Sequence, residues 1–359
     1  MPRLTILDPS KMGRQAQDLD GHLRRFVVGQ EEAIHEIVSA YQSYLAGLSP
    51  LGRPIGNFLF IGPTGSGKTR IVEATAESLL KDPRAVIKVD CAEFQHSHEI
   101  AKLVGSPPGY IGHRETHALL SQEALNKYHT DKIKLSFVLF DEIEKASDAL
   151  WNLLLGILDK GVLTLGDNRK VDFSSAMLFL TSNLGAHEMS CLLAPPLGFQ
   201  APFLEDTGCN DKLAIRISRT GISAVRRKFT PEFINRLDKI ITFKSLGNEE
   251  LRRIVDIELE LVRRRIQAAS ASSPFQFNVT DSAKQFLLRE GTDVRYGARP
   301  LKRAIERLIV QPLSNLIATN QIHRDDCILV SHCEGTPLLM FFREAKALEV
   351  WGVAGRAAA

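Results

Sequence analysis

Apolar positions along the chain fall into two alternating patterns. Short runs, wholly apolar at 58–61 and 137–140 and mostly apolar at 85–90 and 177–182, have the length and composition of strands in a buried sheet. Between them lie stretches with helical spacing. One covers 22–45, broken at Val27-Val28-Gly29-Gln30, with Ile34, Ile37, Val38, Tyr41 and Leu45 on one face; others cover 70–80 and 150–158. Strands alternating with helices predict a parallel sheet wrapped by helices, an α/β fold. The segment 105–112, with its prolines and glycines, is a loop, and 190–220 reads as a mobile surface loop. From about residue 246 the pattern becomes helical. An amphipathic helix is expected over 251–266, another over 282–289 with Asp281 as N-cap and Gly291 as stop, and a third over 299–317, interrupted near Pro312. A short strand is expected at 327–331. The predicted organisation is an N-terminal arm (1–20), an α/β domain (21–245), a small, mainly helical domain (246–335) and a C-terminal tail (336–359).

In open parallel sheets ligands sit at the carboxyl ends of the strands, so the residues there matter most. The run at 58–61 leads into Gly62-Pro63-Thr64-Gly65-Ser66-Gly67-Lys68-Thr69, which fits G-x-x-x-x-G-K-[ST] and precedes a helix. Glycines there let successive backbone N–H groups turn toward phosphate oxygens, and the helix N-terminus adds partial positive charge. Lys68 is placed to reach β- and γ-phosphates, and the Thr69 hydroxyl to ligate Mg²⁺. The run at 137–140 ends in Asp141 and Glu142, one carboxylate to hold Mg²⁺ and the next to orient and polarise a water. The run at 177–182 leads into Asn183, an amide able to bond a γ-phosphate or that water. These three strand ends are expected to converge on one nucleotide site.

Composition narrows the setting. The chain has 359 residues, 44% hydrophobic and 24% charged, enough for two or three domains. A net charge of +3 argues against wholesale neutralisation of nucleic acid. Five scattered cysteines, with no C-x-x-C pair, suit free thiols in a reducing, cytoplasmic setting. No secretory leader or membrane span is expected. Cys91, His96 and His98, with His113 and His117 nearby, match no closed zinc spacing.

Several of these segments together resemble the AAA+ module of the Clp family, most closely the second ATPase ring of Clp disaggregases and unfoldases. They are Val27-Val28-Gly29-Gln30-Glu31-Glu32-Ala33, residues 53–60, the phosphate loop, Gly105-Ser106-Pro107-Pro108-Gly109-Tyr110-Ile111-Gly112, Phe140-Asp141-Glu142-Ile143-Glu144-Lys145-Ala146, Thr181-Ser182-Asn183-Leu184-Gly185, residues 231–238 around Arg236 and residues 296–303 around Arg299. The resemblance covers about residues 20–332 and a single ATPase module, without the preceding ring, substrate-recruiting domain or long coiled-coil insertion of the larger members. It implies ATP and Mg²⁺ as cofactors, a P-loop sheet sandwiched by helices and a small helical lid domain. It implies that Val27 and Val28 line the adenine pocket, that Asp141 and Glu142 are the Walker B pair, and that Asn183 is sensor 1 and Arg299 sensor 2. Arg236 becomes an arginine finger for a neighbouring subunit of a homo-oligomeric ring, hexameric in this family.

Gly109, Tyr110, Ile111 and Gly112 become a pore loop gripping unfolded or tagged protein, with His113 and Arg114 as a basic collar beside them. A flat ring between glycines packs against any side chain, which suits sequence-independent grip. The implied activity is ATP-dependent unfolding and threading of polypeptide. Leu197, Gly198 and Phe199 look like a peptidase-docking tripeptide, which would make the chain the regulatory ATPase of a Clp-type protease; a hydrophobic loop staple reads equally well. A nucleic-acid ATPase and a nucleotide-dependent scaffold or switch are the readings from other classes.

Overall fold

A computed structural model of the chain describes residues 8–105, 118–186, 188–189, 207–269, 275–292, 297–333 and 335–344. Two compact units emerge, Met1–Leu246 with Arg295–Gly297, and Gly247–Val294 with Ala298–Ala359.

The first unit is built on β1 (Gly56–Ile61), β2 (Ile87–Asp90), β3 (Ser136–Asp141), β6 (Ala176–Ser182) and β7 (Lys239–Thr242), a parallel sheet of order β2-β3-β6-β1-β7. Every residue of β1 and β6 is buried, the continuous apolar pattern that a sheet covered on both faces demands. Side chains alternate between the faces. Phe58, Phe60, Phe137, Phe179 and Phe243 form an aromatic cluster on one, with Phe60 and Phe179 ring centroids 5.6 Å apart. Leu59, Ile61, Val138, Phe140, Leu178 and Leu180 join the other, with Leu150, Leu154, Ile157 and Leu158.

Helices α1 (Arg14–Phe26), α2 (Glu31–Leu45), α3 (Lys68–Leu80), α4 (Ala101–Val104), α5 (Gln122–Asn126), α6 (Asp148–Lys160), α7 (Thr207–Lys228) and α8 (Pro231–Ile234) complete this unit, with a hairpin of β4 (Val162–Thr164) and β5 (Lys170–Asp172).

Two expectations change here. The arm over 1–20 becomes helix at Arg14, because Ala16, Leu19, Leu23 and Phe26 form a buried stripe that its polar composition obscures. The loop expected to reach residue 220 gives way to α7 at Thr207, whose sparse apolar positions include the buried Ala224 and Val225.

The second unit contains α9 (Asn248–Ala269), β8 (Gln276–Val279), α10 (Asp281–Gly291), α11 (Arg299–Ile305), α12 (Gln311–Ala318), β9 (Cys327–Ser331) and β10 (Met340–Glu344). Thr280, not Asp281, caps α10, its hydroxyl accepting the Ala283 N–H. The interruption expected near Pro312 takes the form of a change of helix type rather than a break in the chain's helical path. A π-helical turn at Glu306–Val310 carries α11 into α12, its wider spacing making room for a ring that lacks an N–H. The expected tail from 336 contains β10, antiparallel to β9 in a three-stranded sheet β10-β9-β8, so this unit is helical with a sheet of its own. Among the described residues no helix is long and apolar enough to cross a membrane.

Candidate active site

The carboxyl ends of β3, β6 and β1, neighbours in the sheet, bring their polar residues together. Beyond Ile61 the chain turns sharply at Gly62, whose backbone has φ +146°; a Cβ there would stand 2.6 Å from the Phe243 carbonyl oxygen. Gly67, also at positive φ, has open space where a Cβ would stand. It caps α3, so the first helical N–H groups face that space.

Lys68 lies in the first turn of α3 with its side chain buried, and its ammonium donates to Gly62 O (2.7 Å), Pro63 O (2.9 Å) and Asn183 Oδ1 (2.9 Å). Burying a charge is costly without such partners. The Thr64 hydroxyl reaches the same Asn183 oxygen at 3.5 Å. Thr69 follows Lys68 on the helix. Ser66 is buried with its hydroxyl lacking a hydrogen-bond partner among the described residues.

Asp141 ends β3, and the Thr181 hydroxyl donates to its Oδ1. Glu142 has φ 55°, ψ 49°, a left-handed conformation rare outside glycine and common where structure is held for function. Its N–H donates to Thr181 Oγ1 (3.1 Å), its Oε1 accepts from Asn183 Nδ2 (3.3 Å), and its Oε2 pairs with the Lys145 ammonium. That carboxylate pushes the Lys145 pKa up. The Asn183 N–H donates to Glu144 Oε1 at 3.0 Å. Lys68, Asn183, Glu142 and Asp141 thus belong to one hydrogen-bonded cluster. Buried Cys91 lies nearby, its thiol pushed up by burial and then by the Asp90 and Asp141 charges, which keeps it protonated.

Arg236 is elsewhere. It precedes β7 at the amino end of the sheet, where its carbonyl accepts from Asn57 Nδ2 (3.3 Å) and Asp238 brackets the Asn57 backbone. Its guanidinium donates to Leu155 O (3.1 Å) and Glu232 Oε1 (3.0 Å). From Asn57 to Gly62 the strand covers about 17 Å, beyond the reach of an arginine already bonded to α6. Val27 and Val28 are buried between α1 and α2. Arg299 opens α11 in the second unit. Gly109, Tyr110, Ile111 and Gly112, with His113 and Arg114, and Leu197, Gly198 and Phe199 lie outside the described residues.

Comparison with known proteins places this geometry. A sequence model of the AAA domain (Cdc48 subfamily) matches residues 53–240, and one of the C-terminal, D2-small domain of ClpB protein matches 246–330. The chain belongs to the AAA ATPase family. Its AAA module with a ClpB-type small domain fits the second ATPase module of a Clp disaggregase. Chaperone protein ClpB of Rhodopseudomonas palustris is 37% identical over 338 residues, covering 94% of this chain and 35% of that protein. Heat shock protein 100 of Trypanosoma brucei brucei is 38% identical over 324 residues, 90% of this chain and 34% of that one. The chain therefore spans about a third of the length of these relatives. Among solved structures, Hsp104 with ATPγS and FITC casein in a closed state has TM-score 0.74 at 30% identity, covering 92% of this chain and 52% of that one. The S. cerevisiae Hsp104:casein complex in an extended conformation gives 0.75 at 30%, covering 92% and 53%.

Within this AAA module, four residues in or beside the cluster lie in the motif segments but receive no role from them. Thr181 is a polar residue near the end of an apolar strand and bridges Asp141 and Glu142. Glu144 and Lys145 follow the carboxylate pair in a turn, where the charge alternation is the only clue. Buried Gln30 donates to Ser66 O (3.1 Å) and Lys244 O (3.0 Å) and accepts the Lys244 N–H (3.1 Å). It ties the phosphate loop to the segment after β7, a contact spanning 214 positions that no local pattern encodes.

Proposed function

We propose that this chain is the ATP-hydrolysing module of a cytoplasmic protein unfoldase, working in a homo-oligomeric, hexameric ring that threads polypeptide through its centre. One observation carries the reading: the hydrogen-bonded convergence of Lys68, Asn183, Glu142 and Asp141 beside an open phosphate loop, with Arg236 on the opposite end of the sheet. The open space at Gly67, the orphaned Ser66 hydroxyl and the buried Lys68 ammonium fit a phosphate chain. The oxygen donors of Thr69 and Asp141 fit Mg²⁺. A bound magnesium nucleotide supplies the anhydride to be broken and a cation that neutralises charge on its oxygens.

The chain's own groups do the rest. Lys68 exchanges the carbonyls of Gly62 and Pro63 for phosphate oxygens. Asn183 and Glu142 orient the attacking water, and Glu142 accepts its proton. Val27 and Val28 offer an apolar wall to the base, and Arg299 completes the phosphate contacts. Arg236, held away from its own site, serves the site of the next subunit, so turnover depends on assembly. Gly109, Tyr110, Ile111 and Gly112 grip the substrate chain. The casein named with the Hsp104 structures supports unfolded protein as the substrate class. A peptidase-docking role for Leu197, Gly198 and Phe199 rests on their pattern alone; deleting them and testing co-purification with a peptidase decides it.

The test is ATP turnover against protein concentration, with and without casein, for wild type and Tyr110→Ala. Turnover that rises with self-association and with casein, the casein response vanishing in the variant, is expected. Turnover indifferent to both would leave a nucleotide switch or scaffold.

A further inference from the structure

The turn after β3 holds two charged residues that the mechanism above does not use. Glu144 is partly buried, with Oε2 enclosed and without a hydrogen-bond partner among the described residues. It sits in acidic company: the charges of Asp90, Asp141, Glu142 and Glu144 all act on the Cys91 thiol. A fourth carboxylate in such a place is costly, since like charges oppose one another and its enclosed oxygen is unpaired. What it provides is an acceptor for the Asn183 backbone N–H at 3.0 Å. Lys145, next in the same turn, pairs with Glu142 Oε2 while Asn183 Nδ2 holds Oε1. The two side chains therefore grip the sensor amide by its backbone and the catalytic carboxylate by its outer oxygen.

We propose that Glu144 and Lys145 are positioning residues for ATP hydrolysis, fixing Asn183 and Glu142 relative to each other. This rests on the hydrolytic reading of the same site. A carboxylate orients water only if it is itself held; with one oxygen tied to Asn183 and the other to Lys145, Glu142 has a single orientation. Glu144 keeps the loop after β6 at the distance that makes the first of those bonds possible.

The experiment measures kcat and KM for ATP, mant-ADP affinity and Tm in Glu144→Ala, Glu144→Gln, Lys145→Met and Lys145→Arg, beside wild type and Glu142→Gln. Glu144→Ala is expected to lower kcat about tenfold and Lys145→Met about three- to tenfold, with KM and mant-ADP affinity within about twofold. Glu144→Gln keeps a carbonyl oxygen for the Asn183 N–H, and Lys145→Arg keeps a cation for Glu142, so each recovers most of the loss. Unchanged kcat in Ala and Met variants, affinity losses that track kcat, or Gln and Arg variants no better than Ala and Met would overturn the proposal. If Glu144→Ala does not fold, Lys145→Met, at a half-exposed position, decides. Wild type without turnover, or Glu142→Gln with undiminished turnover, would overturn the hydrolytic reading and this proposal with it. Turnover abolished in Glu142→Gln but untouched in the Glu144 and Lys145 variants would overturn the positioning role alone.

Discussion

The two ends of one sheet are built on opposite plans. At the carboxyl ends of β1, β3 and β6, charged and polar side chains bond chiefly to each other and to the phosphate loop, so the cluster is complete within one chain except for its ligand. At the amino ends, Asn57 and Asp238 bond to backbone, and Arg236 is held on a partly exposed face by Leu155 O and Glu232. One end is organised to perform chemistry. The other holds a partly exposed arginine against α6 and Glu232, and the length of the sheet separates the two. A reaction needing both ends needs two copies of the chain.

The sharpest way to break this comparison is at the carboxyl end. Glu142→Gln should lower turnover by about 10³-fold or more while nucleotide binding stays within about threefold, measured by steady-state hydrolysis and mant-ADP titration. Arg236→Ala should cost about 10³-fold in turnover with binding again retained. Mixing the two inactive variants then separates the ends: an intact Arg236 from one subunit beside an intact Glu142 of another should restore turnover, and no restoration would mean that Arg236 does not act across copies.

Gln30→Leu probes what joins the two plans, since it releases the phosphate loop from the Lys244 segment. It leaves buried carbonyls and an N–H unpaired, so it should cost about 1–3 kcal/mol in stability, read by denaturant unfolding, and weaken mant-ADP binding. The smallest effect concerns pH. Burial lowers the pKa of His129, whose Nε2 bonds Ser136 Oγ (2.9 Å) at the amino end of β3. Protonation is then harder in the folded than in the unfolded chain. The unfolded state binds more protons below the ordinary value of 6.5, and stability falls as pH drops through that region. Tm should fall between pH 7.5 and 5.5, and the fall should be smaller in His129→Asn.

Much of this was legible beforehand because its causes are local. The apolar run, the glycines and the Lys-Thr pair of the phosphate loop carry their meaning within a dozen positions, as do the apolar runs ending in Asp141-Glu142 and Asn183. The features that were not legible have distant or diluted causes. In α1 the buried stripe of Ala16, Leu19, Leu23 and Phe26 is interleaved with charges, and α7 begins among residues whose composition favours a loop. β10 is a strand because β9 offers it a ladder, Met340 opposite Ser331 through Glu344 opposite Cys327. The cap of α10 moved by one residue because Thr280 competes with Asp281 for the same N–H groups.

By itself the sequence determined the α/β class, the phosphate loop and the residue types that any nucleotide chemistry here must use, since strand runs, glycine turns and charged strand ends act over short range. Only the tertiary structure decided which of those residues meet. Strand order put Asn183 between Lys68 and Glu142, placed Arg236 at the far end of the sheet, and gave Gln30, Glu144 and Lys145 their partners. The reason is geometric: a parallel sheet orders its strands by packing and crossover, not by chain position, so the neighbours of a strand end are settled only when the sheet closes.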